Sequence, residues 1–299
     1  MAHRRSARSA VGLLMTGACL ALTGCNGIPP EPFVVARAAS STPQPPAPVT
    51  AEALRPAFDA FAGQHPGGLA LAWAPVGEPE RVQMLGQTRD LDAWSTIKVP
   101  IAVAAAANAS NERAMIRVET HTRAAIRRSD NQAATALWRS LGAASAAQDK
   151  TEAVLRAGGD ERTQAAEDAT GRQRGFGRTV WLLEDSARFA SMLPCLPDTE
   201  FVLADMEKID PDQQWGIGAL EASTRFKGGW GPSDHGYLAR QLGIVDSASG
   251  QVAVAVAVQP EDGRHATAAA TASASVTWLV GRLGPADSGV CAAAAPTAG

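Results

Sequence analysis

Ser95-Thr96-Ile97-Lys98-Val99-Pro100-Ile101-Ala102-Val103-Ala104-Ala105-Ala106-Ala107-Asn108 is an apolar, alanine-rich run with no breaker after Pro100. It reads as a buried helix whose first turn carries a serine and a lysine; a proline that early is tolerated. Three residues apart on a helix, Ser95 and Lys98 share a face and can hydrogen-bond. In a desolvated cleft near a second cation, the lysine's ammonium form is disfavoured, and its neutral amine can take the serine proton. Lysine is sparse in this chain, with Lys98, Lys150, Lys208 and Lys227 against an arginine-dominated remainder. Alone, a serine and lysine at this spacing are a weak signal, because a helix-start serine beside a solvated lysine looks the same.

Moving outward, Ser129-Asp130-Asn131 follows the basic pair Arg127-Arg128 and precedes the helical run Gln132 to Trp138. Further on, Lys227-Gly228-Gly229 ends a predicted strand. Each has an ordinary structural use: Ser129 and Asp130 can cap a helix, and Lys227 can guard a sheet edge. Taken in order, the trio resembles the S-x-x-K, S-D-N and K-T/S-G motifs of penicillin-recognising serine enzymes, the class A β-lactamases and DD-peptidases. The resemblance extends over residues 50 to 283, including the order of elements. It implies an α/β (α+β) fold, with an antiparallel sheet flanked by helices and a reduced all-helical lobe.

The resemblance also implies roles. Ser95 is the expected acylated nucleophile and Lys98 its proton acceptor. Ser129 relays a proton to the leaving group, and Asn131 binds the substrate's amide carbonyl. Asp130 braces the helical lobe, and Lys227 raises the local positive potential. The backbone N–H groups of Ser95 and of Trp230, on the strand leaving Gly229, form the expected oxyanion hole.

The departures from the pattern are as informative. Gly228 stands where the family carries a hydroxyl that helps bind a substrate carboxylate, with Arg225 nearby as a candidate replacement. Trp230 is bulky beside the expected cleft. Only 34 positions (129 − 95) separate Ser95 from Ser129, fewer than in class A β-lactamases, which implies a trimmed lobe. No E-x-x-L-N loop is present; Glu167 lies at a comparable distance but in the context Glu167-Asp168-Ala169-Thr170-Gly171, and Glu161 precedes Arg162-Thr163-Gln164. Efficient β-lactam hydrolysis is therefore not expected. The two function classes are a serine hydrolase or acyltransferase acting through Ser95 on an amide or ester, such as a peptidoglycan peptide or a slowly handled β-lactam, and a catalytically silent lipoprotein that binds a cell-wall component or protein partner.

The remaining segments set the location. His3, Arg4, Arg5 and Arg8 precede the apolar run Val11 to Leu22, the length of a signal-peptide core and too short to span a bilayer. Leu22-Thr23-Gly24-Cys25 resembles a bacterial lipobox, implying cleavage after Gly24 and a diacylglyceryl anchor on Cys25, enough for stable attachment. The expected location is the outer face of the cell membrane. Seven prolines between 26 and 49, of 19 in the chain, read as an extended tether. The expected organisation is a signal peptide at 1-24, lipidated cysteine and tether at 25-49, and one domain at 50-299. Within it, the sheet is read from about 50-92 and 213-283 and the lobe from about 93-212.

Cys195 and Cys291 remain after Cys19 and Cys25 are accounted for, and an even pair in an oxidising compartment suggests a disulfide, with two buried thiols as the alternative. Strands are expected at Gly67–Ala74, Arg81–Leu85, Trp215–Leu220, Ala222–Trp230, Leu238–Val245 and Gln251–Val258. Helices are expected over Thr50–Ala62, from Ser95 through alanine-rich stretches to about Met192, and over 264 to 283. A net charge of -3 with 19% charged residues carries no nucleic-acid signature. No G-x-S-x-G elbow, H-E-x-x-H or C-x-x-C spacing or phosphate loop is present, and His65, His121 and His235 stand alone, so neither a metal nor a cofactor is expected.

Overall fold

The computed structural model describes residues 47–166 and 174–292. The signal peptide, Cys25, most of the tether and Glu167 lie outside the described residues.

Sheet and helices follow from the hydrophobic pattern. The central strand, β5 (Gly250–Pro260), alternates valine at 252, 254, 256 and 258 with alanine at 253, 255 and 257, and all seven are buried. A strand buried on both faces needs a layer on each side. It pairs antiparallel with β1 (Gly67–Pro75) on one side and β4 (Gly236–Ser247) on the other. Beyond these lie β2 (Gln83–Gln87) and β3 (Thr224–Ser233), giving the order β2-β1-β5-β4-β3 with β3 at an edge.

The layer on one face includes α8 (His265–Val280), which contacts β5 and β4, together with the turn at Gly216–Ala219. The other face is covered by α6 (Leu183–Met192), against β1, β4 and β5. Thus α6, within the range read as helical lobe, packs on the sheet. The lobe itself is α2 (Lys98–Ala107), α3 (Glu112–Arg127), α4 (Asn131–Ser140) and α5 (Ala144–Ala157), with α7 (Glu200–Met206) packed on α3. The first helix, α1 (Ala51–Ala62), begins at Thr50, whose hydroxyl accepts from the Ala53 N–H at 3.2 Å. Every residue of α2 except Ala107 is buried, which explains a helix apolar all round.

Three expectations about strands are corrected. Trp215–Leu220 is not a strand: Gly216–Ala219 forms a 3-10 turn, with Gly216 at φ +58°. The reason lies on β4, where buried Gln241 accepts from the Ile217 N–H at 2.7 Å and donates to the Trp215 carbonyl at 2.7 Å. Those side-chain bonds replace the ladder that a strand would need. Lys227-Gly228-Gly229 does not end its strand either, because β3 continues to Ser233 in register with β4. The second strand also starts later than read, since Pro79–Arg81 is a 3-10 turn.

Cys195 and Cys291 are joined, with Cα atoms 5.3 Å apart. Closing a loop with a sequence separation of 96 restricts the unfolded chain, a contribution of about 4–5 kcal/mol in the chain-entropy model.

Candidate active site

Ser95 lies in a 3-10 turn, Trp94–Ile97, that leads directly into α2, where Lys98 is the first residue. In a 3-10 turn, residues i and i+3 eclipse, so serine and lysine stay on one side. The turn is held from outside. Ala93 donates its N–H to the Thr179 carbonyl at 2.8 Å, and Trp181 donates to the Leu91 carbonyl at 2.9 Å. Buried Arg240 on β4 ties these segments together, donating to the carbonyls of Trp181 at 2.8 Å, Leu91 at 3.1 Å and Asp92 at 3.3 Å. Burial lowers its pKa to about 10, against the raising effect of Asp92. This guanidinium was not picked out from sequence, although a single arginine inside the apolar run Leu238 to Val245 is a signal of such a clamp.

Trp94, just before Ser95, has φ +49°, a left-handed backbone that a bulky residue rarely takes. Its indole sits under the Arg178 guanidinium, 5.5 Å from the ring centroid, and against Gly231, where a Cβ would lie 2.6 Å from the ring. Arg178 is held in turn by Asp92 at 2.9 Å and Asp234 at 3.2 Å. Ser129 is a second non-glycine residue in this region, at φ +57°. Strained backbone of this kind costs on the order of 1–3 kcal/mol per residue and concentrates at functional sites.

Three expected motifs meet around the Ser129 hydroxyl. Lys227 Nζ donates to Ser129 Oγ at 3.1 Å and to the Gly228 carbonyl at 2.8 Å. Lys98 Nζ donates to the Ser129 carbonyl at 2.6 Å, to Asn131 Oδ1 at 2.8 Å and to Ser129 Oγ at 3.4 Å. The partners of Lys98 are therefore Ser129 and Asn131, not the Ser95 hydroxyl. Asp130 is the N-cap of α4, its carboxylate accepting from the Ala133 N–H at 2.8 Å, and that bond holds its pKa low. It braces the turn that presents Ser129 and Asn131.

Both lysines are buried, and both are shifted. Lys98 is lowered to about 8 by burial, opposed by the Asp130 carboxylate. Lys227, fully buried, is held well below the ordinary lysine range by burial first and by repulsion from Lys98 second. An amine with a pKa near 8 is neutral in about one molecule in ten at pH 7, a usable population for a proton acceptor.

The β3 backbone closes the site. A Cβ on Gly229 would lie 2.7 Å from the Ser95 backbone nitrogen and 2.9 Å from the Ala93 carbonyl oxygen, so only glycine lets the strand approach the serine turn this closely. Trp230 follows on this edge strand, half-buried.

Arg225 is not a free carboxylate ligand: it pairs with Glu207 at 2.8 Å and Asp246 at 2.9 Å. Glu161 is exposed. Among the described residues, no cluster of three or more His, Cys, Asp or Glu side chains suited to a metal is present.

No family model matches the chain, and no curated protein matches it. Solved structures do. TLA-3 extended-spectrum β-lactamase superposes with a TM-score of 0.61 at 13% identity, covering 77% of this chain and 99% of that one. An ancestral class A β-lactamase gives a TM-score of 0.54 at 20% identity, with 76% and 98% covered. A β-lactamase from Burkholderia vietnamiensis gives 0.54 at 19%, with 75% and 96% covered. At such identities the likeness is one of fold: the described residues carry the fold of the class A β-lactamases.

Proposed function

We propose that this chain is a cell-envelope lipoprotein whose domain performs acyl-enzyme chemistry through Ser95 on an amide or ester. The observation that carries this reading is the Ser129 hydroxyl, which lies within hydrogen-bond reach of two buried lysines while Ser95 sits one turn before the first of them. Buried cations are expensive to maintain, and two sharing one hydroxyl have no structural benefit that apolar residues would not supply better. The anchor on Cys25 and the position at the outer membrane face rest on residues 1–25 alone.

In the proposed reaction, neutral Lys98 accepts the Ser95 Oγ proton as Oγ bonds to the substrate carbonyl carbon. The N–H groups of Ser95 and Trp230 receive the developing oxyanion. Collapse breaks the bond to the leaving group, which departs with a proton passed from Lys98 through Ser129. Lys227 orients the Ser129 hydroxyl and keeps its lone pair side electropositive. Among the described residues no side chain is assigned as the general base for deacylation, and slow β-lactam turnover is part of this proposal. A peptidoglycan peptide and a β-lactam are both amides that this chemistry suits.

The pH dependence of Ser95 labelling by a fluorophosphonate tests the assignment of the base. Only neutral Lys98 can take the proton, and below its pKa the neutral form is the minor one. The labelling rate should therefore rise about tenfold per pH unit up to about 8 and level off above it. A rate that is flat or falls between pH 6 and 9 rules Lys98 out as the base.

A further inference from the structure

The N–H that Ser95 would offer to an oxyanion belongs to the peptide plane it shares with Trp94. A peptide is planar, so the direction of that N–H follows from the backbone angles of Trp94. Trp94 holds φ +49°, a conformation that glycine takes freely and a bulky residue rarely does. A return to negative φ would swing the plane and carry the Ser95 N–H away from Gly229, the β3 residue that approaches it.

Trp94 is not held by its own polar atom, because its Nε1 is buried with no acceptor among the described residues. Two contacts hold the ring instead. Gly231 on β3 lies against it, where a Cβ would come within 2.6 Å, and the Arg178 guanidinium covers it, 5.5 Å from the centroid. Arg178 is itself fixed by three contacts. It meets Asp92 at 2.9 Å and Asp234 at 3.2 Å, and its own turn, Phe176–Arg178, rests on α4 through Phe176 and Trp138, with ring centroids 6.0 Å apart. Asp92 also accepts from Ser233 Oγ at 2.9 Å, so the segment before Ser95 and the turn between β3 and β4 close on the same guanidinium. A half-exposed ion pair by itself adds little stability, whereas a guanidinium on an indole contributes both its charge and its flat face.

We infer that Arg178 is a positioning residue for the proposed reaction: by covering the Trp94 indole it holds the left-handed backbone there, and so keeps the Ser95 N–H turned toward β3. This role rests on Ser95 being the nucleophile proposed above. Lys98 stands outside the network, since its bonds go to Ser129 and Asn131. Loss of Arg178 should therefore slow the chemistry without moving its pH midpoint.

The test is the rate of fluorophosphonate labelling of Ser95 in the full chain in detergent, from pH 6 to 9, for Arg178→Met in the parent and in a Trp94→Gly background. Glycine takes the left-handed backbone without help, so a residue that acts by holding Trp94 becomes dispensable there. Arg178→Met should slow the parent at least about tenfold, where outright loss of an oxyanion donor costs about 10²- to 10³-fold. The midpoint should stay near 8, and in the Trp94→Gly background the slowing should be less than about threefold. Gly231→Ala, whose methyl would press on the indole, reaches the same contact from β3 and should show the same pattern. Equal factors in both backgrounds, a parent slowed less than about threefold, or a shifted midpoint each overturn the inference, the last because the effect would then lie on Lys98. If Arg178→Met does not fold, Gly231→Ala decides by the same thresholds. Any of these results with Ser95 labelled in the parent removes the positioning role alone. If Ser95 of the parent takes no label, the nucleophile assignment fails and this role falls with it.

Discussion

Lys98→Ala should slow fluorophosphonate labelling of Ser95 by about 10²- to 10⁴-fold at pH 8, the range a positioned proton acceptor contributes. The lysine is 1% exposed, lies one turn from the serine, and has its ammonium form disfavoured by burial. Alanine removes the acceptor, and a water molecule in its place is a far weaker base. Stability should change little, within about 1 kcal/mol, because two effects oppose each other. The Ser129 carbonyl and Asn131 Oδ1 lose a donor, which costs about 1–3 kcal/mol when such groups are left unsatisfied. Removing one of two mutually repelling buried cations returns a similar amount. Labelling kinetics beside a thermal melt separate the outcomes. A variant labelled within threefold of the parent rate contradicts the assigned role, and a melting point lowered by many degrees with kinetics to match points to a structural lysine.

Gly229→Ala is the second large effect. Its methyl group would fall 2.7 Å from the Ser95 backbone nitrogen and 2.9 Å from both the Ala93 carbonyl oxygen and Trp94 Cβ, all parts of the serine turn. Two of those three atoms are backbone, so the strand or the turn must move. The Ser95 and Trp230 N–H groups, proposed as the oxyanion hole, would then be displaced relative to each other. Loss of one oxyanion donor costs about 10²- to 10³-fold, so labelling should fall by about that factor, with about 1–3 kcal/mol of overpacking. Gly228→Ala is the control: its methyl would meet ring atoms at 3.3 and 3.4 Å, and labelling should stay within a few-fold. Gly229→Ala labelled at the parent rate would show that the close approach of β3 to the serine turn is not needed.

The frame of the domain was legible because it depends on local patterns. The valine–alanine alternation of β5, the apolar α2 with its early proline, and the strand and helix that follow 230 all lie near their expected positions. The Ser95, Ser129 and Lys227 motifs were legible as types and in order, and the structure brings them together. What was not legible depends on partners far apart in the chain. Trp215–Leu220 carries strand-like residues, but Gln241 on β4 satisfies its backbone from a distance of 24 residues. Arg225 looked available two residues from Lys227 until Glu207 and Asp246 were seen to hold it. Lys98 spacing suggested Ser95 as its partner, whereas the fold supplies Ser129 and Asn131 across the cleft. Gly228 read as a lost hydroxyl; only packing reveals that two indoles crowd the same space.

The most direct test of the central claim is the site and extent of fluorophosphonate modification of the full chain, read by intact mass and peptide mapping, with Ser95→Ala alongside. One adduct per chain, mapped to Ser95 and absent from the variant, is the predicted result. No adduct, or one mapping elsewhere and surviving Ser95→Ala, would contradict an activated serine and leave the fold serving as a binding surface.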